Sequence, residues 1–133
     1  IKHKVEGHSA RITCFRIAPS GDWFVSGSLD NSLIVWDYRK EEIKKKHHLK
    51  GHSHWIRHSY ISPSGNWILS GAKDNTLIIW DSKTGEKKHQ LKGHSHWINC
   101  CWIAPSEDWL ISGSYDGKLF WWDAITGIQL FKR

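Results

Sequence analysis

The sequence predicts an all-β chain built as three small four-stranded antiparallel sheets packed face to face. The pentapeptide GHSHW stands at Gly51–Trp55 and again at Gly93–Trp97, an interval of 42 residues that matches a supersecondary unit. Between such landmarks lie short runs rich in β-branched and aromatic residues, separated by turn-forming dipeptides. The first three runs of each unit are apolar on both faces, so each sheet needs a neighbour on either side.

The elements follow in the same order in each unit. ARITCFRIA, WIRHSYIS and WINCCWIA read as first strands, and they stop at APSGD, SPSGN and APSED, where proline and small polar residues favour a turn. WFVSGS, WILSGA and WLISGS are the second strands. Asp30-Asn31, Asp74-Asn75 and Asp116-Gly117 then suit the positive-φ positions of a tight hairpin. SLIVWD, TLIIWD and LFWWD are third strands, and the lysine-rich segments before the next Gly-His are weaker fourth strands. Their charge belongs at an outer rim, where lysines discourage edge-to-edge pairing. Stacking such sheets face to face gives radial blades.

Composition sets bounds. The 133 residues suffice for one domain, with 39% apolar and 24% charged residues, the balance of a globular rather than a disordered chain. No apolar run approaches the roughly 18 residues that span a bilayer, so no membrane role is expected. The opening IKHKVE is not a signal peptide, and its lack of a methionine implies processing, excision or a longer product. Cys14, Cys100 and Cys101 have no paired spacing, and adjacent Cys100 and Cys101 should face opposite sides of a strand. A reduced intracellular setting is expected, cytoplasmic before nuclear.

Within every unit the histidine-to-serine offset is 18 residues, serine to aspartate 4, and aspartate to tryptophan 6. The sets are His8, Ser26, Asp30, Trp36; His52, Ser70, Asp74, Trp80; and His94, Ser112, Asp116, Trp122. With its Gly-His, S-G-[SA], Asp-turn and Trp-Asp landmarks, essentially the whole chain resembles the WD-repeat family of β-propellers. The resemblance implies WD-repeat β-propeller blades: three four-stranded antiparallel blades plus an N-terminal outer strand. Residues 1–6 would be the outer strand of a preceding blade, followed by blades at 7–50, 51–92 and 93–133. It also implies that each quartet is a structural hydrogen-bonded tetrad, the histidine bridging aspartate to serine and the serine meeting the indole N–H. A buried imidazole and indole each need such a partner.

Two departures from the repeat stand out. Unit one lacks the Thr-Gly turn of Thr84-Gly85 and Thr126-Gly127, reading YRKEEIKKK instead. Unit three has Glu107 where the others have Gly21 and Gly65, which predicts a different turn type there. Propellers usually hold four to eight blades, so closure is expected through additional blades or through homo-oligomerisation of copies, head to tail.

The resemblance places one set of residues on the top surface near the channel: Arg11, Thr13 and Leu29; Trp55, Arg57 and Lys73; Trp97, Asn99 and Tyr115. Aromatics and arginines there have the composition of a protein interface. The alternative for Trp55 and Trp97 is simple packing against the neighbouring blade. His54 and His96 complete two His-x-His patterns, but the other histidine of each belongs to a tetrad, so no metal site and no cofactor are expected. His47, His48 and His89 read as rim residues.

Net charge is +6, and 14 of the 19 basic residues lie before a Gly-His or after a Trp-Asp. Lys44, Lys45, Lys46, Lys87 and Lys88 would form a basic rim serving solubility and edge protection, or else contacting RNA on a ribonucleoprotein. No nucleophile elbow or phosphate loop appears, and the His-Ser-Asp sets mimic a triad by residue type alone. The expected function is a non-enzymatic scaffold binding proteins or a multi-subunit complex through top-face loops, with a ribonucleoprotein subunit as the alternative.

Overall fold

The computed structural model describes residues 6–39 and 42–132, and among them the secondary structure is entirely strand and turn. The strands are β1 Ile12–Ile17, β2 Trp23–Ser28, β3 Ser32–Arg39, β4 Glu42–Lys50, β5 Ile56–Ile61, β6 Trp67–Ala72, β7 Thr76–Asp81, β8 Lys87–Lys92, β9 Ile98–Ile103, β10 Trp109–Ser114, β11 Leu119–Asp123 and β12 Gln129–Lys132. They pair as three antiparallel meanders in the orders β1-β2-β3-β4, β5-β6-β7-β8 and β9-β10-β11-β12. The outer strand expected at residues 1–6 falls mainly on residues 1–5, which lie outside the described residues.

Turn chemistry explains the hairpins. Asn31 (φ 73°), Asn75 (φ 70°) and Gly117 (φ 81°) hold the left-handed position of each β2–β3-type connection. The different turn expected at Glu107 is not found. Glu107 takes φ 62°, beside 79° at Gly21 and 78° at Gly65, and its amide donates to Ala104 as Gly21 donates to Ala18. Its carboxylate accepts the Ser64 hydroxyl at 2.7 Å, a neighbouring-blade contact that glycine could not make. In unit one, where Thr-Gly is missing, β3 and β4 run on to pair Arg39 with Glu42.

Strand alternation sends side chains to two inter-sheet cores. Val25, Leu33, Val35 and Leu49 of the first sheet meet Ile56, Ile68, Ile78 and Trp80 of the second. The opposite face of the second sheet, with Leu69, Leu77, Ile79 and Leu91, meets Ile98, Leu110, Phe120 and Trp122 of the third. The first strands lie side by side, β1 against β5 and β5 against β9, the arrangement of blades around an axis. Ile12, Ile56 and Ile98 occupy one repeat position, yet Ile12 is 55% exposed while the other two are fully buried by the preceding sheet. Burying such a side chain stabilises by about 1.5–3 kcal/mol, so face-to-face stacking is the main cohesive term.

Candidate functional site

Each quartet converges within its own sheet. His8 Nδ1 lies 2.9 Å from Asp30 Oδ2 and His8 Nε2 lies 2.7 Å from Ser26 Oγ, which accepts the Trp36 indole N–H at 2.9 Å. The second sheet repeats these separations at 2.9, 2.7 and 2.8 Å for His52–Asp74, His52–Ser70 and Trp80–Ser70. The third gives 3.0, 2.8 and 2.9 Å for His94–Asp116, His94–Ser112 and Trp122–Ser112. One proton arrangement satisfies every atom. Histidine Nδ1–H donates to the carboxylate, the serine hydroxyl donates to Nε2, and the indole donates to the serine oxygen.

The aspartates also organise the loops around them. Asp30, Asp74 and Asp116 accept the backbone amides of Ser9, Ser53 and Ser95 at 3.0, 3.0 and 3.1 Å. Burial alone would raise these carboxyls. The opposing hydrogen bonds, from Ser32 and His8, from His52 and Thr76, and from Ser95, Lys118 and His94, hold all three down at about 2. Ser70 is fully buried and Ser112 is 1% exposed, so these hydroxyls offer no approach to a substrate.

The same framework sets the loops above. The Lys73 amide donates to the Trp55 carbonyl at 2.9 Å, Tyr115 to Trp97 at 3.0 Å, and Leu29 to Arg11 at 2.9 Å. Loop residues 18 apart are thus tied together in every unit. Between the second and third sheets these pairs merge into one cluster. Lys73 Nζ sits 4.0 Å from the Trp55 ring centroid and 3.6 Å from that of Trp97. Tyr115 packs on Trp97 at 5.6 Å and accepts a hydrogen bond from Arg57 at 3.0 Å. Partial desolvation, then the Arg57 charge, push the Lys73 ammonium below the ordinary lysine range.

Not every residue expected on the top surface joins this cluster. Thr13 instead donates to the Ile56 carbonyl at 2.6 Å, tying the first sheet to the second. Arg11 and Asn99 are exposed, and Leu29 is half-buried. His54 and His96 have defined roles: their Nδ1 atoms accept the amides of Trp55 and Trp97, each at 2.8 Å, and so set the indoles.

The model of the family described as WD domain, G-beta repeat matches residues 1–37, 43–81 and 85–123. The chain belongs to the WD-repeat family. Its fold is similar to that in "Structure of U3-55K", with a TM-score of 0.89 over 96% of this chain and 40% of that one, at 22% identity. A segment of 31 residues, 23% of this chain, is 55% identical to U3 small nucleolar RNA-associated protein 21 of Saccharomyces cerevisiae. That segment is 3% of the yeast protein, so the WD-repeat chain spans a small part of one matched protein and less than half of the other. The cytoplasmic expectation is corrected by the yeast match, a protein whose name ties it to a small nucleolar RNA and so points to the nucleus.

At the rim of the WD blades, Lys44, Lys45 and Lys46 on β4 and Lys87 and Lys88 on β8 are all exposed. Lys44 pairs with Glu42 at 3.5 Å and Lys88 with Glu86 at 3.2 Å, surface contacts of little energetic weight. The rim histidines do more than the sequence reading allowed. His47 Nε2–H donates to the Lys83 carbonyl and His89 Nε2–H to that of Ile125, both at 2.7 Å, each latching a fourth strand onto the next blade's turn. Their shared repeat position was the available signal.

Proposed function

We propose that these WD blades are part of a non-enzymatic platform that seats protein partners of a multi-subunit complex on its top-face loops. The cluster of Trp55, Arg57, Lys73, Trp97 and Tyr115 carries this reading. Exposed Trp55 and Tyr115 and half-buried Trp97 on fixed loops, beside exposed Arg57 at the start of β5, have the make-up of an interaction hot spot. In this reading residues 7–50, 51–92 and 93–133 are successive blades of one propeller, completed by further blades or by association of copies, and the tetrads are purely structural. Arg11, Thr13, Leu29 and Asn99 extend the same surface.

Crosslinking of the chain in nuclear extract, with Trp55→Ala and Arg57→Ala in parallel, tests the proposal. Each variant is expected to lose its protein adducts by tenfold or so, the weight of a single hot-spot side chain, with little dependence on salt. Adducts that persist in both variants would reject it. A second reading, a ribonucleoprotein subunit docked through the basic rim, is favoured by the name of the yeast relative. It expects binding to fall steeply with salt and to weaken when Lys44, Lys45, Lys46, Lys87 and Lys88 are neutralised.

A further inference from the structure

The ammonium of Lys73 lies over the faces of two indoles at 4.0 and 3.6 Å, so the ring centroids of Trp55 and Trp97 are at most about 7.6 Å apart, the two distances taken together. A planar ring in van der Waals contact on both sides needs about 7 Å. The space held by Lys73 is therefore at most about one aromatic ring thick. Lys73 has an unbranched, flexible stem and can vacate it.

The two charged side chains that reach these rings, Lys73 and Arg57, are both cations. Arg57 is exposed and reaches Tyr115 from the adjoining blade, with its guanidinium 6.0 Å from that ring's centroid. The nearest carboxylates in sequence, Asp74 and Asp116, are turned into the tetrads. There they hold the imidazoles together with the amides of Ser53, Thr76, Ser95 and Lys118. A cationic ligand would face both Arg57 and a displaced Lys73, whereas a polyanion gains from each. Two indoles that already share one cation, flanked by a second, match a base on its phosphodiester chain once Lys73 withdraws.

We propose that the gap between Trp55 and Trp97 is a subsite for one unpaired base of single-stranded RNA. Lys73 swings out to meet a flanking phosphate, and Tyr115 with Arg57 extends the stacking surface for the next base. This rests on the reading of the top face as the partner surface and adds RNA to what it holds. Duplex RNA is excluded, because its bases are already covered on both faces.

The test uses the full chain and end-labelled RNA of about 12 nucleotides, within the site sizes such surfaces cover. Fluorescence anisotropy compares a mixed-sequence single strand, an abasic strand of equal length, and a duplex. The single strand is expected to bind tightest. Trp55→Ala and Trp97→Ala should each weaken it about 5- to 150-fold, the factor that stacking of one base represents. Neither should change the abasic strand, and Trp55→Phe should retain most of the affinity. Lys73→Gln should reduce the salt slope by about 0.7.

Equal binding of intact and abasic strands would overturn the proposal. So would Trp55→Ala and Trp97→Ala variants that melt like the parent and bind the single strand unchanged. Loss of protein adducts without loss of RNA binding in those variants would give the slot to a protein and leave the platform standing. RNA loss with unchanged adducts would support the slot and remove the protein reading.

Discussion

Ser70→Ala isolates the polar frame, because Ser70 Oγ is shared between two buried partners. It accepts the Trp80 indole N–H at 2.8 Å and faces His52 Nε2 at 2.7 Å, in a residue that is fully buried. Removing the oxygen strands one donor and one ring nitrogen where water has no access. At about 1–3 kcal/mol for each orphaned group, the loss should total about 2–6 kcal/mol. Trp80→Phe removes the donor instead and leaves the Ser70–His52 bond intact. In the double variant one of the two orphans no longer exists, so its cost should fall short of the summed single costs by about 1–3 kcal/mol. Equilibrium urea unfolding followed by far-ultraviolet circular dichroism measures all three, avoiding the changed tryptophan emission. A Ser70→Ala cost within about 0.5 kcal/mol of zero, the range of an indifferent surface change, would refute the reasoning, as would strict additivity.

Acid should loosen the frame. The folded-state values of Asp30, Asp74 and Asp116 lie at about 2, below the ordinary 3.8, so their contribution is complete above 3.8 and disappears as pH falls through about 2. Melting temperature against pH should be insensitive to these groups above about 4 and drop below it; no drop would contradict the cited hydrogen bonds. Gly71→Ala would drive a methyl into Ile98 Cγ2 and to 2.9 Å from Ile98 Cβ, both within a fully buried side chain, and should cost about 1–3 kcal/mol in urea unfolding. Gly113→Ala meets the exposed Cys100 sulfur at 2.9 Å, which can rotate, and should cost under about 1 kcal/mol. His47→Ala and His89→Ala should each cost about 0.5–1.5 kcal/mol, and their effects should add because they serve different blade pairs.

The repeat made much of the fold legible. A quartet such as His52, Ser70, Asp74 and Trp80 is spaced within one meander, so fixed offsets of 18, 4 and 6 residues are enough to draw it together. The hairpin signals at Asp30-Asn31 and Asp74-Asn75 are equally local. What escaped the sequence lies between units. That Lys73 rests between its own Trp55 and the next unit's Trp97 depends on how far blades are rotated, which no single repeat encodes. The latches of His47 and His89 reach carbonyls 36 residues away, and a carbonyl carries no mark in a sequence. Glu107 misled because left-handed backbone favours glycine, whereas here the Ser64 contact accompanies the same turn. The compartment was inferred from cysteine usage, which separates reducing from oxidising settings but cannot tell nucleus from cytoplasm.

The glycine of each S-G-[SA] segment gives the array a direction. Gly27 lies under Ile56 and Gly71 under Ile98, so every joint has a socket on one blade and a plug on the next. Such joints are not interchangeable end for end, and units can be added in one sense only. A module engineered onto the C-terminal side must bring a side chain shaped to enter at Gly113. One placed before β1 must offer Ile12 a bare backbone.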